Sequence, residues 1–208
     1  LLPVRPEEMM GDQVDPAQQL ARTQGRSPRA LLAETLGDKL MSYTAGRAKV
    51  FGVSGKDRSA VAMAGHAGKA FWFSTNSGDF VTSTYYYGTY PTWVADWNTE
   101  RQADRHAGTE WTLMLGTQDS YMLGHQDDRP YESDLRGFGR TFPHLFGEAG
   151  SGLFYTQLLA SPVGDQLLAD FAQTLIVSEG LGQDDITDYL SVSFSGIDAV
   201  NHFFGPSS

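Results

Sequence analysis

A carboxylate and an imidazole lie four positions apart near the end of the sequence, at Asp198 and His202. If this segment is helical, the two side chains lie on one face of the helix. Together they can then hold one Zn²⁺ through an oxygen and a nitrogen. Asp-x-x-x-His also arises by chance, and without further context a solvated turn or a helix-capping pair is the favoured explanation. The residues alone therefore leave both interpretations open.

A second candidate group consists of Lys56 and Arg58, which follow a predicted strand and begin a predicted helix. The N-terminus of a helix attracts anions, because its free N–H groups and its dipole both favour negative charge. Arginine can bind two phosphate oxygens at once, whereas lysine acts as a point charge. This pattern allows an anion site, although the residues alone favour the alternative. The alternative is that Lys56 and Asp57 are solvated and that Arg58 forms a local ion pair.

The other polar and aromatic candidates carry weaker signals. His66 stands in a glycine-flanked turn, and we expect it to close that turn through a backbone hydrogen bond rather than to bind a ligand. The aromatic residues Tyr85–Tyr87, Trp93 and Trp97 could stack on a base or sugar, but packing beneath a hairpin is favoured. One charged run could form a metal cluster, although such runs are typical of solvated loops: Asp119, His125, Asp127 and Asp128.

The element that positions Asp198 is a predicted strand over residues 189–195. Its apolar residues alternate with serines, which is the period of two that a strand shows, and Gly196 then ends it. In an α/β sheet, ligands collect beyond the carboxyl ends of the strands. Asp198 and His202 follow such an end, which strengthens the interpretation as a binding site.

The remaining periodic segments complete an α/β domain in which helices pack against a mainly parallel sheet. A hairpin and an irregular stretch over about 98–152 are additions to this domain. The predicted elements, in chain order, are a helix from Ser27–Pro28 to about Tyr43, a strand over 48–54, a helix from Lys56, paired strands over 70–74 and 79–85, a helix over 91–97 and a helix over 162–179.

Composition narrows the classes of function. The 208 residues suit one domain, and 40% hydrophobic content with 12% aromatic residues is ample for a packed core. A net charge of −10 argues against binding a nucleic acid polymer, but not against a small anion held by local cations. No apolar run is long enough to span a membrane. The absence of cysteine excludes disulfides and thiolate chemistry.

Two motifs together resemble the alkaline phosphatase superfamily. They are Ser-Gly-Lys-Asp-Arg-Ser-Ala over 54–60 and Ser-Phe-Ser-Gly-Ile-Asp-Ala-Val-Asn-His-Phe-Phe-Gly-Pro over 193–206. Shorter stretches within 27–38, 64–67 and 80–86 support them in the expected order. The pattern is most similar to bacterial phosphate-irrepressible alkaline phosphatases, within the type I phosphodiesterase and nucleotide pyrophosphatase family.

The resemblance implies an alkaline-phosphatase-like sheet flanked by helices, two Zn²⁺ ions and a covalent phospho-enzyme. Asp198 and His202 resemble ligands of one zinc, and Lys56 and Arg58 resemble contacts to the non-bridging phosphate oxygens. The implied activity is cleavage of small phosphate monoesters, with diesters as a side activity, in the periplasm or outside the cell. The alternatives are a phosphodiesterase or nucleotide pyrophosphatase, or a non-catalytic anion-binding or interaction module.

The resemblance also implies a partial domain. The family's nucleophile and its other metal ligands have no counterpart in this sequence, so no catalytic nucleophile is assigned. We expect residues 1–26 to form an extended arm and 27–208 a partial α/β domain, with 98–152 as a cap-like insertion. Such a fragment, carrying ligands for at most one zinc, should be inactive alone and should self-associate through exposed sheet edges.

Overall fold

A four-stranded sheet forms the centre of the protein. The computed structural model describes residues 26–117, 120–121, 128–135 and 137–205. The strands of this sheet are β1 (Val50–Ser54), β2 (Lys69–Phe73), β3 (Phe80–Val81) and, later in the chain, β6 (Tyr189–Ser193). Their order is β3-β2-β1-β6, with β1 parallel to β2 and to β6, and β3 antiparallel to β2. The predicted mainly parallel sheet is confirmed, and so is the pairing of the predicted hairpin. Its second strand, predicted over 79–85, covers only Phe80–Val81, because the chain turns at Ser83, whose carbonyl oxygen accepts from Tyr86 N and Tyr87 N.

In the part of the chain that the structure describes, six α-helices surround or extend this sheet: α1 (Leu36–Tyr43), α2 (Asp57–Ala64), α3 (Thr92–Thr99), α4 (Phe154–Leu159), α5 (Pro162–Glu179) and α6 (Gly196–Phe204). Helix α5 matches its predicted bounds. It begins at the Ser161 N-cap, with proline next, and ends at Gly180 in the left-handed conformation. Within the described ranges, no helix has the length and apolar character that a membrane span needs.

The prediction that one helix runs from Ser27–Pro28 to Tyr43 was wrong at its start. Pro28 begins only a three-residue 3-10 helix, and α1 starts after Thr35. The reason is a capping box, in which the Thr35 hydroxyl accepts from Asp38 N at 3.2 Å and the Asp38 carboxylate accepts from Thr35 N at 2.9 Å. This reciprocal pair satisfies the first free N–H groups of α1, so the chain turns there.

Strand β1 is buried along its whole length, as a central parallel strand should be. Helix α2 packs directly on its backbone at Gly52. A Cβ atom at Gly52 would lie 2.4 Å from the carbonyl oxygen of Ala60 and 2.8 Å from the nitrogen of Ala64. Any larger residue at Gly52 would therefore displace α2, and with it the residues at the start of that helix.

Aromatic side chains form the core between the sheet, α3 and α5. The rings of Phe80 and Phe171 stack with centroids 3.9 Å apart, and Phe71 contacts Tyr87 and Trp93 with centroids 5.4 and 5.6 Å away. The prediction that these aromatic residues pack under the hairpin, rather than stack on a ligand, is confirmed. Residues 1–25 of the predicted arm lie outside the described residues.

The irregular region begins with the end of α3 and continues through a 3-10 helix and two short antiparallel strands, β4 (Glu110–Trp111) and β5 (His144–Leu145). It contacts the C-terminal end of α6. Ser133 N donates to the carbonyl oxygen of Phe203 at 2.7 Å, and the ring of Phe204 lies 5.0 Å from that of His144. The role of this region as a cap, and self-association through a sheet edge, stay predictions.

Candidate active site

The two candidate groups meet at one edge of the sheet. Strands β1 and β6 are parallel neighbours, and their last residues, Ser54 and Ser193, lie opposite each other. The chain therefore leaves both strands on the same side, into α2 after β1 and into α6 after β6. As a result, the Lys56 ammonium forms an ion pair and hydrogen bond with Oδ2 of Asp198.

Helix α6 places the predicted metal ligands on one face. Nε2 of His202 lies 3.6 Å from Oδ1 of Asp198, and both side chains are exposed to solvent. The N-terminal end of α6 is held by Asp165 of α5, whose Oδ1 accepts from Ser195 N at 3.1 Å and from Gly196 N at 2.9 Å. The prediction that Asp198 and His202 share one helical face is confirmed.

The turn that carries Lys56 is tightly packed. The Ser54 hydroxyl accepts from Lys56 N at 3.0 Å. A Cβ atom at Gly55 would lie 2.7 Å from Leu159 Cδ1 and 3.2 Å from Ser195 Cβ, both too close for an unshifted neighbour. Glycine at position 55 thus lets α4 and the end of β6 approach the turn and fixes where Lys56 leaves the sheet.

Asp57, between the two candidate cations, has a structural role. It forms a buried ion pair with Arg26, in which the side chains are 4% and 8% exposed respectively. Its Oδ1 accepts from the main-chain N of Arg58 at 2.7 Å. The carboxylate nearest to Arg58 in sequence is therefore engaged elsewhere, and the Arg58 side chain extends into solvent.

Cations converge on Asp198. A hydrogen bond from Lys56 lowers the pKa of Asp198, and the charges of Lys56, His202 and Arg58 lower it further. Asp198 is consequently ionised at neutral pH. The site combines one carboxylate with two permanent cations and one titratable imidazole, in a chain whose net charge is −10.

The described residues supply only part of a metal site. They contain no group of three or more metal-ligating side chains close enough to hold one ion. In the second cluster considered from the sequence, Asp119, His125 and Asp127 lie outside the described residues. Asp128 forms an ion pair with Arg140 at 2.7 Å.

Comparison with known proteins gives a consistent family. No protein-family model matches the chain. Alkaline phosphatase PhoV of Synechococcus elongatus is 38% identical over 184 residues, which cover 88% of this chain and 33% of PhoV. Alkaline phosphatase PafA of Elizabethkingia meningoseptica is 37% identical over 189 residues, which cover 88% of this chain and 34% of PafA. The crystal structure of PafA superposes with a TM-score of 0.75 at 34% identity, covering 89% of this chain and 36% of that one. The chain belongs to the alkaline phosphatase superfamily.

This member of the superfamily spans about a third of the length of the curated relatives it matches. A third relative bears a different name. A protein of Myroides odoratus called a calcium-transporting ATPase is 35% identical over 187 residues, which cover 88% of this chain and 34% of that protein. A second PafA crystal structure, with TM-score 0.76 and 33% identity, is of a variant with four substitutions. They replace a Thr, an Asn, a Lys and, two positions after that Lys, an Arg.

His66 lies apart from the candidate site and has partners of its own. Its Nδ1 lies 3.0 Å from Oδ2 of Asp38, and its Nε2 lies 3.2 Å from the carbonyl oxygen of Leu31. The expected backbone hydrogen bond is present, but its acceptor lies 35 positions earlier, so the ring joins its turn to the segment before α1 and does not close the turn itself. Its carboxylate partner was not foreseen, although the Thr-x-x-Asp spacing of the capping box was a usable signal.

A cavity of about 410 Å³ beside Lys56 and His202 was also missed in the sequence. The buried hydroxyl of Thr75, in the loop after β2, lines the same cavity. No local pattern could have revealed it, because its walls come from segments that are far apart in the chain.

Proposed function

We propose that this chain carries part of the active site of a zinc-dependent phosphohydrolase that cleaves phosphate monoesters. In this proposal Lys56 and Arg58 bind the non-bridging phosphate oxygens, and Asp198 and His202 are ligands of one zinc. The observation that carries the proposal is the contact between Lys56 and Asp198, because it joins the anion group and the metal group into one site. The relatives' names, phosphatase and ATPase, both describe hydrolysis that releases a phosphoryl group.

The spacing of the cations supports their role. The PafA variant was altered at a Lys and at an Arg two positions later, which is the spacing of Lys56 and Arg58. In this chain Lys56 leads out of β1, and Arg58 stands in the first turn of α2. A phosphate placed there would also face the positive end of the α2 dipole. It would compete with Asp198 for Lys56.

The donors present fit one half of a tetrahedral zinc site. Two ligand atoms at about 2.0–2.2 Å from one zinc, at a tetrahedral angle, lie about 3.4 Å apart. Oδ1 of Asp198 and Nε2 of His202 are separated by 3.6 Å and can therefore share an ion with little movement. When bound, zinc acts as a Lewis acid toward the reacting oxygens. The other ligands, a second zinc and the nucleophile would come from outside the described residues.

The two cations set the substrate preference. A phosphate monoester presents a dianion, whereas a diester carries one charge and an additional organic group. Lys56 and Arg58 offset the charge of the transferring phosphoryl group, and each charged hydrogen bond contributes about 1.5–3 kcal/mol. Two fixed positive charges interact more strongly with the dianion, so the monoester is the favoured substrate and the diester a side substrate.

The test compares kcat/KM for an aryl phosphate and the matching diaryl phosphate in the whole polypeptide that carries residues 1–208. In the double variant Lys56→Ala/Arg58→Ala we expect kcat/KM for the monoester to fall about a hundredfold, which corresponds to roughly 2.7 kcal/mol. The value of kcat/KM for the diester should fall much less. The matched control is Lys39→Ala/Arg105→Ala, which removes the same charge at exposed positions distant in sequence.

Three results would contradict the proposal. Equal loss for both substrates would show that Lys56 and Arg58 do not discriminate by charge. A wild-type preference for the diester would replace the proposal with the phosphodiesterase or nucleotide pyrophosphatase alternative. A whole polypeptide that holds no zinc and turns over neither ester would support the non-catalytic anion-binding module.

A further inference from the structure

A cavity adjoins the proposed phosphate site and is separate from the ion pair itself. Its volume of about 410 Å³ lies within the range of sites that bind small molecules. Most of its wall is apolar and comes from α4, α6 and the region around Leu135. Lys56 and His202 form part of the same wall, so an anion held by Lys56 lies at the edge of an apolar chamber.

One polar residue in the wall of the cavity, Thr75, has a hydroxyl without a hydrogen-bond partner among the described residues. Thr75 is 7% exposed. Buried hydroxyls in proteins are normally hydrogen-bonded, because removal from water without a replacement partner is unfavourable. The oxygen itself is shielded from the cavity, so the Thr75 side chain must rotate about χ1 to meet a polar group on a bound molecule, which would then supply the missing hydrogen bond.

We propose that this cavity binds the organic group of the substrate. The substrate class is then a phosphate ester of an aromatic or similarly apolar alcohol that carries a hydrogen-bonding substituent. The proposal rests on the proposed function, since it takes the phosphate to lie against Lys56. From there the ester oxygen can direct the organic group between Leu153, Leu159 and Phe203, with the substituent toward Thr75.

The apolar wall also excludes other substrates. Glycerol or a sugar carries several hydroxyl groups, and each would lose its hydrogen bonds to water against leucine, alanine and phenylalanine side chains. A planar ring loses no such bonds and removes apolar surface from water. Among monoesters with the same dianionic head, the aryl ester should therefore bind more tightly.

The test measures dissociation constants by calorimetry on residues 1–208, using 1-naphthyl phosphate, glycerol phosphate and 1-naphthol. We expect naphthyl phosphate to bind about tenfold or more tightly than glycerol phosphate. Thr156→Phe fills the cavity from α4. It should remove the tighter binding of naphthyl phosphate and leave the dissociation constant of glycerol phosphate unchanged. Leu153→Trp is a second variant that fills the cavity, in case the first does not fold. The matched control is Thr92→Phe, at an exposed position of α3.

A second arm tests Thr75. Phenyl phosphate and 4-hydroxyphenyl phosphate are compared in the wild type and in Thr75→Val, which keeps the shape of the side chain and removes the hydroxyl. The wild type should favour the hydroxylated ester severalfold, and the variant should not. An unchanged ratio would overturn the assignment of Thr75 as a specificity residue.

The outcomes separate this proposal from the proposed function. Suppose that Lys56→Met weakens the binding of naphthyl phosphate and of glycerol phosphate equally, and that the cavity-filling variants change the binding of neither. The phosphate assignment then stands and the cavity proposal fails. If cavity filling removes 1-naphthol and naphthyl phosphate binding while Lys56→Met changes nothing, the cavity is an apolar site unconnected with phosphate. That result overturns the substrate assignment. An aryl advantage seen in residues 1–208 but absent from kcat/KM of the whole polypeptide also overturns it.

Discussion

The protein contains two aspartate–histidine pairs built in opposite ways. Asp38 is buried and accepts hydrogen bonds from the main chain of Thr35, His66 and Ala67 and from the His66 ring. Asp198 is exposed, and among the described residues its ion pairs are with two side chains, those of Lys56 and His202. The first carboxylate has its lone pairs filled by protein groups. The second keeps them available for a ligand.

The pKa shifts express the same difference. Burial alone would raise the pKa of Asp38, but hydrogen bonds from Thr35, His66 and Ala67 outweigh it and hold the pKa far below its usual range. The hydrogen bond to Asp38 raises the pKa of His66. Asp198 also has a lowered pKa, first through the hydrogen bond from Lys56. A metal ion could replace Lys56 as the partner of Asp198, and a phosphate could replace Asp198 as the partner of Lys56, whereas no ligand can replace the fixed amides around Asp38.

The largest expected effect is the loss of stability in Asp38→Ala. Three main-chain N–H groups would lose their acceptor at about 1 kcal/mol each, so the free energy of unfolding should fall by about 3 kcal/mol. Urea denaturation measures it. Asp198→Ala is the matched control and should leave the urea midpoint unchanged. Similar losses in the two variants would remove the distinction between the pairs.

The next prediction concerns the pH dependence of the buried pair. The pKa of His66 is raised above 6.5, so its stabilisation is complete below pH 6.5 and is lost as pH rises through the raised value. The wild type should exceed His66→Gln in stability by about 1 kcal/mol at pH 6, and by less at pH 9.

His106→Gln provides the matched control for that pH profile. Burial lowers the pKa of His106, so its contribution has the opposite sign and is lost as pH falls through the lowered value. Urea midpoints across the pH range should therefore move in opposite directions for the two variants, each relative to the wild type. Parallel profiles for the two would show that the His66–Asp38 contact is not responsible.

A smaller effect should appear at the exposed pair. In Lys56→Met the pKa of Asp198 should return toward its usual value, because the hydrogen bond and charge of Lys56 are the leading causes of its lowering. Arg58→Met should raise this pKa less, since its charge is the weakest contribution. The pKa of Asp198 in each variant is measured from its carboxyl chemical shift in an NMR pH titration. An Asp198 pKa insensitive to Lys56 would contradict the observed contact.

The weakest signal is expected from zinc itself. The proposed site has two donors among the described residues, and a stable site normally needs three or four, so a calorimetric titration of residues 1–208 should show no saturation at micromolar zinc. Binding should tighten in the whole polypeptide, where further ligands would complete the site. Tight, stoichiometric zinc on residues 1–208 that is lost in Asp198→Asn would show that the exposed pair is already complete.

The sequence predicted the elements better than their contacts. Helix α5 was placed correctly because Ser161, Pro162 and Gly180 mark its ends locally. The start of α1 was misplaced because Ser27–Pro28 also begins a helix, but only a short one. Lys56 and Asp198 were each chosen from local patterns, yet their contact spans 142 positions and depends on the register between β1 and β6. No local pattern encodes that register.

Helix α6 has a consequence for the time scale of motion at the site. Asp165 holds its first amides, and the hydrogen bond from Ser133 and the packing of Phe204 hold its last turn. A helix held at only one end frays from the other within the native state, and its amides exchange with solvent through small local openings. Here both ends must be released together. The central amides of α6, near Asp198 and His202, should therefore exchange hydrogen for deuterium at the slow rate of the surrounding core, although both side chains are exposed.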